Sequence, residues 1–229
     1  MKRLAQALLK QELIGSNHHR AIICCTYDRN GGIMKTMIFI FISCWSILTF
    51  ASEATLVELT PSEDKILTNI GNKAADMVSQ RLMETMLGDI KSVGLAEAAR
   101  GWSKSVTIIN ETADSFNLGM KIKRPTYQYR NPINKPDNLD QVALNFFLSS
   151  ESEGAKSFSR KVMGENGYRY LYYQPMYVTK KCLLCHSESM SDDVKAVLDE
   201  KYPNDLSRDL KLAALRAVIR VELPEASIK

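Results

Sequence analysis

Two thiols and an imidazole fall within five residues at Cys182-Leu183-Leu184-Cys185-His186, and Cys-x-x-Cys-His is the spacing used for covalent attachment of a c-type haem. Each thiol can add across a vinyl group on one porphyrin edge, and the imidazole that follows is placed to bind the iron. Cys-x-x-Cys has other chemistries. A structural zinc site needs four ligands, normally Cys and His, but beyond residue 50 the chain holds no Cys or His besides these three. Zinc would have to borrow a carboxylate or a second chain. A thioredoxin-like redox pair sits near a βαβ unit, whereas this pair lies late in the chain after a tyrosine-rich run. Two buried cysteines beside a surface histidine are the plain structural reading. That reading leaves unexplained why every Cys and His after residue 50 falls in one pentapeptide. The pattern points to one covalent haem c per chain, held by Cys182 and Cys185, with His186 as the proximal iron ligand.

Haem c is attached outside the cytoplasm, so this chemistry requires an export signal. Met34-Lys35-Thr36 is followed by an apolar run from Met37 to Phe50 and by small residues at Ala51, Ser52 and Ala54, the layout of a signal peptide. The run is short for a membrane span. The expected organisation is an upstream extension over 1–33, a signal peptide over 34–54 and a haem domain over 55–229. The mature protein would be periplasmic, with no stable membrane span. Cys44 is a poor lipoprotein cysteine because apolar residues continue past it.

Removing the leader changes the charge. Residues 1–51 carry six Lys or Arg and two Asp or Glu, which leaves 24 of the 30 bases and 24 of the 26 acids. A near-neutral domain has no electrostatic footprint for nucleic acid. The two remaining cysteines are committed to haem, so no disulfide framework is expected.

About 175 residues are enough for one domain with a substantial core, and they must position the pentapeptide. Thr60-Pro61-Ser62-Glu63 reads as a capping box with proline at the first helical position. Ile66, Ile70, Ala74 and Met77, with Val78, Leu82 and Met86 alongside, predict an amphipathic helix to about Met86. Gly88 and Gly94 punctuate. A second helix is expected from Leu95 to about Thr112, with Leu95, Ala98, Ala99, Trp102 and Val106 inward. Met120 leads a strand-like alternation, and Arg130 to Asp137 is a Pro/Asn loop. A short helix with Leu139, Val142, Ala143 and Phe146 inward follows. Tyr168, Tyr170 and Tyr172 alternate along a strand that Pro175 should interrupt, and a last strand is expected within Leu212 to Leu223. Helices first, then strands, predict an α+β fold.

An ordered set of segments carries a family resemblance: Lys123-Arg124-Pro125, Tyr129-Arg130-Asn131-Pro132-Ile133-Asn134-Lys135-Pro136-Asp137, Tyr173-Gln174-Pro175, the haem motif, and Tyr202-Pro203-Asn204-Asp205. From about Thr60 to Pro224 the chain resembles the PAS-like monohaem c-type cytochromes long catalogued as a domain of unknown function. The resemblance implies N-terminal helices packed on a PAS-like antiparallel sheet, haem on Cys182 and Cys185, and His186 on the iron. A well-known form of that family supplies a distal cysteine from the second helix, where this chain has Trp102.

With no spare Cys or His, a methionine thioether or an open distal site remains. Of the seven methionines beyond residue 51, Met120 is the favoured distal ligand, against the alternative that it fills a gap in the core. Arg124 and Arg130 suit the haem propionates, against simple surface pairing. Lys180 and Lys181 could rim a docking site for an acidic redox partner. The expected function is periplasmic electron transfer, with redox partner proteins and the cytochrome c maturation machinery as partners. The alternative is a haem-based redox or gas sensor acting through a partner. The absence of a transmitter segment after the last strand favours the carrier. A catalytic role is not expected, since no distal acid–base group is available.

Overall fold

The computed structural model describes residues 55–149, 151, 153–164 and 166–228, so the expected upstream extension and signal peptide lie outside the described residues. Helix α1 spans Pro61–Val93 and starts as the sequence predicts. The Thr60 hydroxyl accepts from the Glu63 amide at 3.3 Å, and the Glu63 carboxylate accepts from the Thr60 amide at 2.8 Å. It ends later than the predicted Met86. Gly88 sits in an open helix interior, where glycine costs only about 1 kcal/mol relative to alanine, and the stop falls at Gly94, at φ +83°. The buried stripe is Leu67, Gly71, Ala74, Ala75, Val78 and Leu82, while the expected Ile66 is exposed.

The predicted second helix is three pieces. Helix α2 (Leu95–Gly101) runs into a 3-10 turn at Trp102–Lys104, and α3 (Ser105–Ser115) follows. The chain then forms β2 (Lys121–Lys123), α4 (Asn138–Leu148), β3 (Phe158–Gly164), β4 (Gly167–Tyr177), α5 (Leu183–His186), α6 (Asp192–Lys201) and β5 (Leu215–Pro224). With β1 (Thr55–Val57), the strands make one antiparallel sheet in the order β1-β3-β4-β5-β2. This is the α+β architecture the sequence predicts.

Strand alternation sends neighbouring side chains to opposite faces, and both faces are covered. Tyr170, Tyr172, Ile219, Val221 and Leu223 pack against α1 and α3. Leu171, Tyr173 and Val218 pack with Phe158 and Val162 against Ala143, Leu144 and Phe147 of α4. The inward face of α4 is therefore rotated from the expected one, and Val142 is exposed. Gly71 marks the closest approach of α1 to the sheet, because a Cβ there would overlap the Tyr172 ring.

Pro175 does not interrupt β4. The Val218 amide bonds to the Pro125 carbonyl, away from β4, so the Pro175–Val218 pair is a non-hydrogen-bonded one. The Pro175 nitrogen then faces the β3 side, and β3 pairing begins only at Phe158 opposite Tyr173. No ladder bond is lost, the condition under which a strand tolerates proline.

Candidate functional site

Beyond the end of β4, the Cys182 amide bonds to the Thr179 carbonyl at 3.0 Å and starts the single turn of α5. The Thr179 amide and hydroxyl lie 3.4 and 3.3 Å from the Cys182 sulfur. Cys182 and Cys185 are free thiols, both half-buried. Burial pushes the Cys185 thiol pKa up, and the Arg130 charge opposes that rise.

His186 is held by the segment that precedes β5. Its Nδ1 lies 2.7 Å from the Ser207 carbonyl and 3.0 Å from the Ser207 hydroxyl, and the Leu210 amide donates to the His186 carbonyl at 2.9 Å. A carbonyl only accepts, so Nδ1 carries the proton and Nε2 keeps a free lone pair. This is the arrangement that orients a metal-binding imidazole. Burial, followed by the charges of Arg216 and Arg130, holds the His186 pKa well below the ordinary histidine value.

Arg130 braces the same turn. It donates from Nε to Asp205 at 2.9 Å and from Nη2 to the Cys185 carbonyl at 2.6 Å. The Asp205 side chain is fully buried and also accepts from the Ser207 amide at 2.9 Å and from Arg208 at 3.1 Å. One carboxylate thus ties the loop that holds His186 to the guanidinium that holds Cys185.

These residues open onto a cleft of about 890 Å³, counting its mouth. Leu82, Met83, Met86 and Ile90 of α1 line it, with Leu95, Ala98 and Ala99 of α2 and with Trp102. Met176 of β4, Lys181, Cys182, Cys185 and His186 close it, together with Arg124, Arg130 and Arg216. The arginines converge because residues 124–126 are stitched to β5. The Pro125 carbonyl accepts from the Val218 amide, and the Thr126 hydroxyl donates to the Arg216 carbonyl at 2.8 Å.

Arg130 has Asp205, but among the described residues Arg124 and Arg216 form no ion pair. Arg216 donates to the Gln128 carbonyl at 3.1 Å. Burial and the neighbouring Arg124 and Arg130 charges lower the Arg216 pKa to about 9. Burial lowers that of Arg124. The cleft is an apolar slot with an uncompensated cationic end, which suits a flat apolar ligand with an anionic edge.

Five of the six predicted site residues meet here: Cys182, Cys185, His186, Arg124 and Arg130. Met120 does not. It is buried in the core with Leu223 and Ile228, away from the cleft lining, because Gly119 at φ +61° turns the chain into β2 beneath α3. Met83, Met86 and Met176 line the cleft instead. Arg130 is engaged by Asp205 and the Cys185 carbonyl, and Arg216 lines the cleft beside it. Sequence reasoning missed Arg216, Asp205 and Ser207. A signal for Arg216 was present, since it, Arg220 and Glu222 are the charged residues of an otherwise apolar strand. Asp205 ends a segment that carried the resemblance without a role. Among the described residues, no three His, Cys, Asp or Glu side chains gather as a metal-binding set.

Comparison with curated proteins finds no match. Among solved structures, the chain is similar to the crystal structure of the cyanobacterial heme-protein Tll0287, at 22% identity and a TM-score of 0.48 over 73% of this chain and 98% of that chain. Residues 55–224 match the sequence profile of the Tll0287-like family. That match runs from the first strand through β5 and takes in every residue of the cleft, and the chain belongs to the Tll0287-like family.

Proposed function

We propose that the cleft holds one covalent haem c and that the protein is an exported electron carrier. The observation that carries this reading is the charge of the cleft. Among the described residues, two desolvated guanidinium groups, Arg124 and Arg216, form no ion pair with a carboxylate, and a desolvated charge without a close partner is unfavourable. The two propionates of a haem would neutralise both. Membership of the Tll0287-like family, whose namesake is described as a heme-protein, supports the same cofactor. So does the Cys-x-x-Cys-His turn on the cleft wall.

Cys182 and Cys185 would hold the haem, each thiol adding across a vinyl double bond with sulfur on one carbon and the thiol hydrogen on the other, so that no oxidant would be consumed. His186, with Nδ1–H fixed on Ser207, would offer Nε2 to the iron. When bound, the haem supplies reversible one-electron chemistry. The residues of this chain hold it, exclude water with the α1 and α2 walls, and set its potential through the arginine charges.

Export by the 34–54 segment delivers the chain to the periplasm, where a maturation system attaches the haem and a redox protein with an acidic rim takes the electron. Production with the haem c maturation machinery, followed by intact mass measurement after denaturation, tests the reading. One haem mass should stay on the chain and be lost in Cys182→Ser/Cys185→Ser. Haem that extracts into acidified organic solvent from the unmodified chain would refute covalent attachment. N-terminal sequencing of the exported protein should begin between Ser52 and Thr55, and a start upstream of Met34 would refute the signal assignment.

A further inference from the structure

We propose that the Met86 thioether is the second axial ligand of the haem iron. The assignment rests on the haem reading above and adds the residue that decides whether the iron is open. Three thioethers line the cleft. Met176 packs against the main core cluster and is already used there. Met83 and Met86 belong to none of the buried clusters and project from α1, an element separate from the one that carries His186.

Helix geometry separates these two. The α1 residues on the cleft are Ser79, Leu82, Met83, Met86 and Ile90. At about 100° per residue, Met86 lies in one row with Leu82 and Ile90 and about 20° from Ser79, at the middle of that face. Met83 is turned about 60° from Met86, to the side away from the buried stripe that ends at Leu82. Trp102 also lines the cleft, but its indole nitrogen is a donor only and cannot bind iron. Lys181 adjoins Cys182 on the segment that also carries His186, rather than on the facing wall of α1. A thioether on a flexible unbranched stem is the soft ligand that remains, and a His–Met pair raises the potential of a haem.

The test uses the full chain carrying attached haem. Oxidised protein should show the weak thioether-to-ferric-iron charge-transfer band at the red end of the visible spectrum, and reduced protein should be unchanged by carbon monoxide. Met86→Leu, a volume-conserving change that the fold should accept, should abolish the band and let carbon monoxide bind. Met83→Leu and Met176→Leu should keep the band and stay closed. A band that survives in Met86→Leu, or is lost only in one of the other two variants, overturns the assignment. So does a wild-type protein that lacks the band and binds carbon monoxide at once, which would move the function towards ligand sensing. Mass after denaturation separates these results from failure of the haem reading. A chain with no attached haem overturns that reading, and the ligand assignment with it.

Discussion

Asp205→Asn isolates the brace behind His186. The carboxylate receives Arg130 Nε at 2.9 Å and Arg208 Nε at 3.1 Å, with its side chain fully buried and that of Arg130 only 11% exposed. Arg208 is more open and keeps Asp199 at 2.6 Å, so its loss is close to that of a surface pair, about 0–1 kcal/mol. Arg130 keeps the Cys185 carbonyl but no carboxylate among the described residues, and becomes a third cation without an ion pair beside Arg124 and Arg216. Breaking a buried pair from one side costs about 3–5 kcal/mol. The asparagine can still accept from the Ser207 amide, which favours the lower end, about 3 kcal/mol. For a domain of this size that is a fall in Tm of roughly 6–12 °C. Thermal unfolding of the haem-loaded protein would be read for Asp205→Asn, Arg130→Met and the double variant. Removing both charges relieves the orphan, so the double variant should be more stable than the sum of the single losses predicts, by about 2 kcal/mol. Strict additivity, or a loss below about 0.5 kcal/mol for Asp205→Asn, would refute the argument that this carboxylate compensates Arg130.

Two glycines of α1 should respond with opposite sign in urea unfolding. Gly71→Ala drives a Cβ into the Tyr172 ring and should cost about 1–3 kcal/mol, whereas Gly88→Ala meets nothing and should gain about 0.5–1 kcal/mol. Glu63 takes the Lys161 ammonium at 2.7 Å and the Tyr170 hydroxyl at 2.6 Å, which lowers its pKa from 4.5 to about 2. A carboxyl lowered on folding stabilises the protein above its unfolded value, and that contribution is lost as pH falls from 4.5 towards 2. Glu63→Gln should therefore differ most from wild type above pH 4.5 and converge with it near pH 2. A difference that grows on acidification would contradict the sign. Arg216→Met removes a cation from the haem site and should favour the ferric state. At an effective dielectric of about 20, losing one unit charge close to the cofactor is worth on the order of 1–2 kcal/mol, so the potential should fall by some tens of millivolts in a potentiometric titration. A rise would refute the placement of Arg216 beside the cofactor.

The Arg130–Asp137 segment works as a strut between cleft and sheet. Arg130 grips the Cys185 carbonyl and Asp205 at one end. Asn131 accepts from the Ile133 amide at 3.1 Å and starts the 3-10 turn Pro132–Asn134. At the other end, Asp137 caps α4 and accepts from Arg220 at 2.7 Å. The fully buried Asp140 joins it, accepting from Arg220 and Lys123, both at 2.9 Å. The prolines fix φ along the strut, so Arg130 is presented by a stiff connection anchored in the outer ion network.

The sequence by itself carried the Cys-x-x-Cys-His spacing, the capping box that starts α1 and the α+β order of elements, because these depend on residue type and on spacing along the chain. It could not place Met120 or Met86. Both are methionines in apolar surroundings, and only the turn at Gly119 and the rotation of α1 decide which of them reaches the cleft. Pro175 was misread because a proline's compatibility with a strand depends on whether the neighbour on its nitrogen side is present, and β3 has ended there. Arg216 became a site residue only through the Pro125–Val218 pairing, which sets a distant strand beside Arg124. Local signals specify elements. Charge clustering and the choice of cleft-lining thioether arise from contacts between residues far apart in sequence, and those were decided by the tertiary structure.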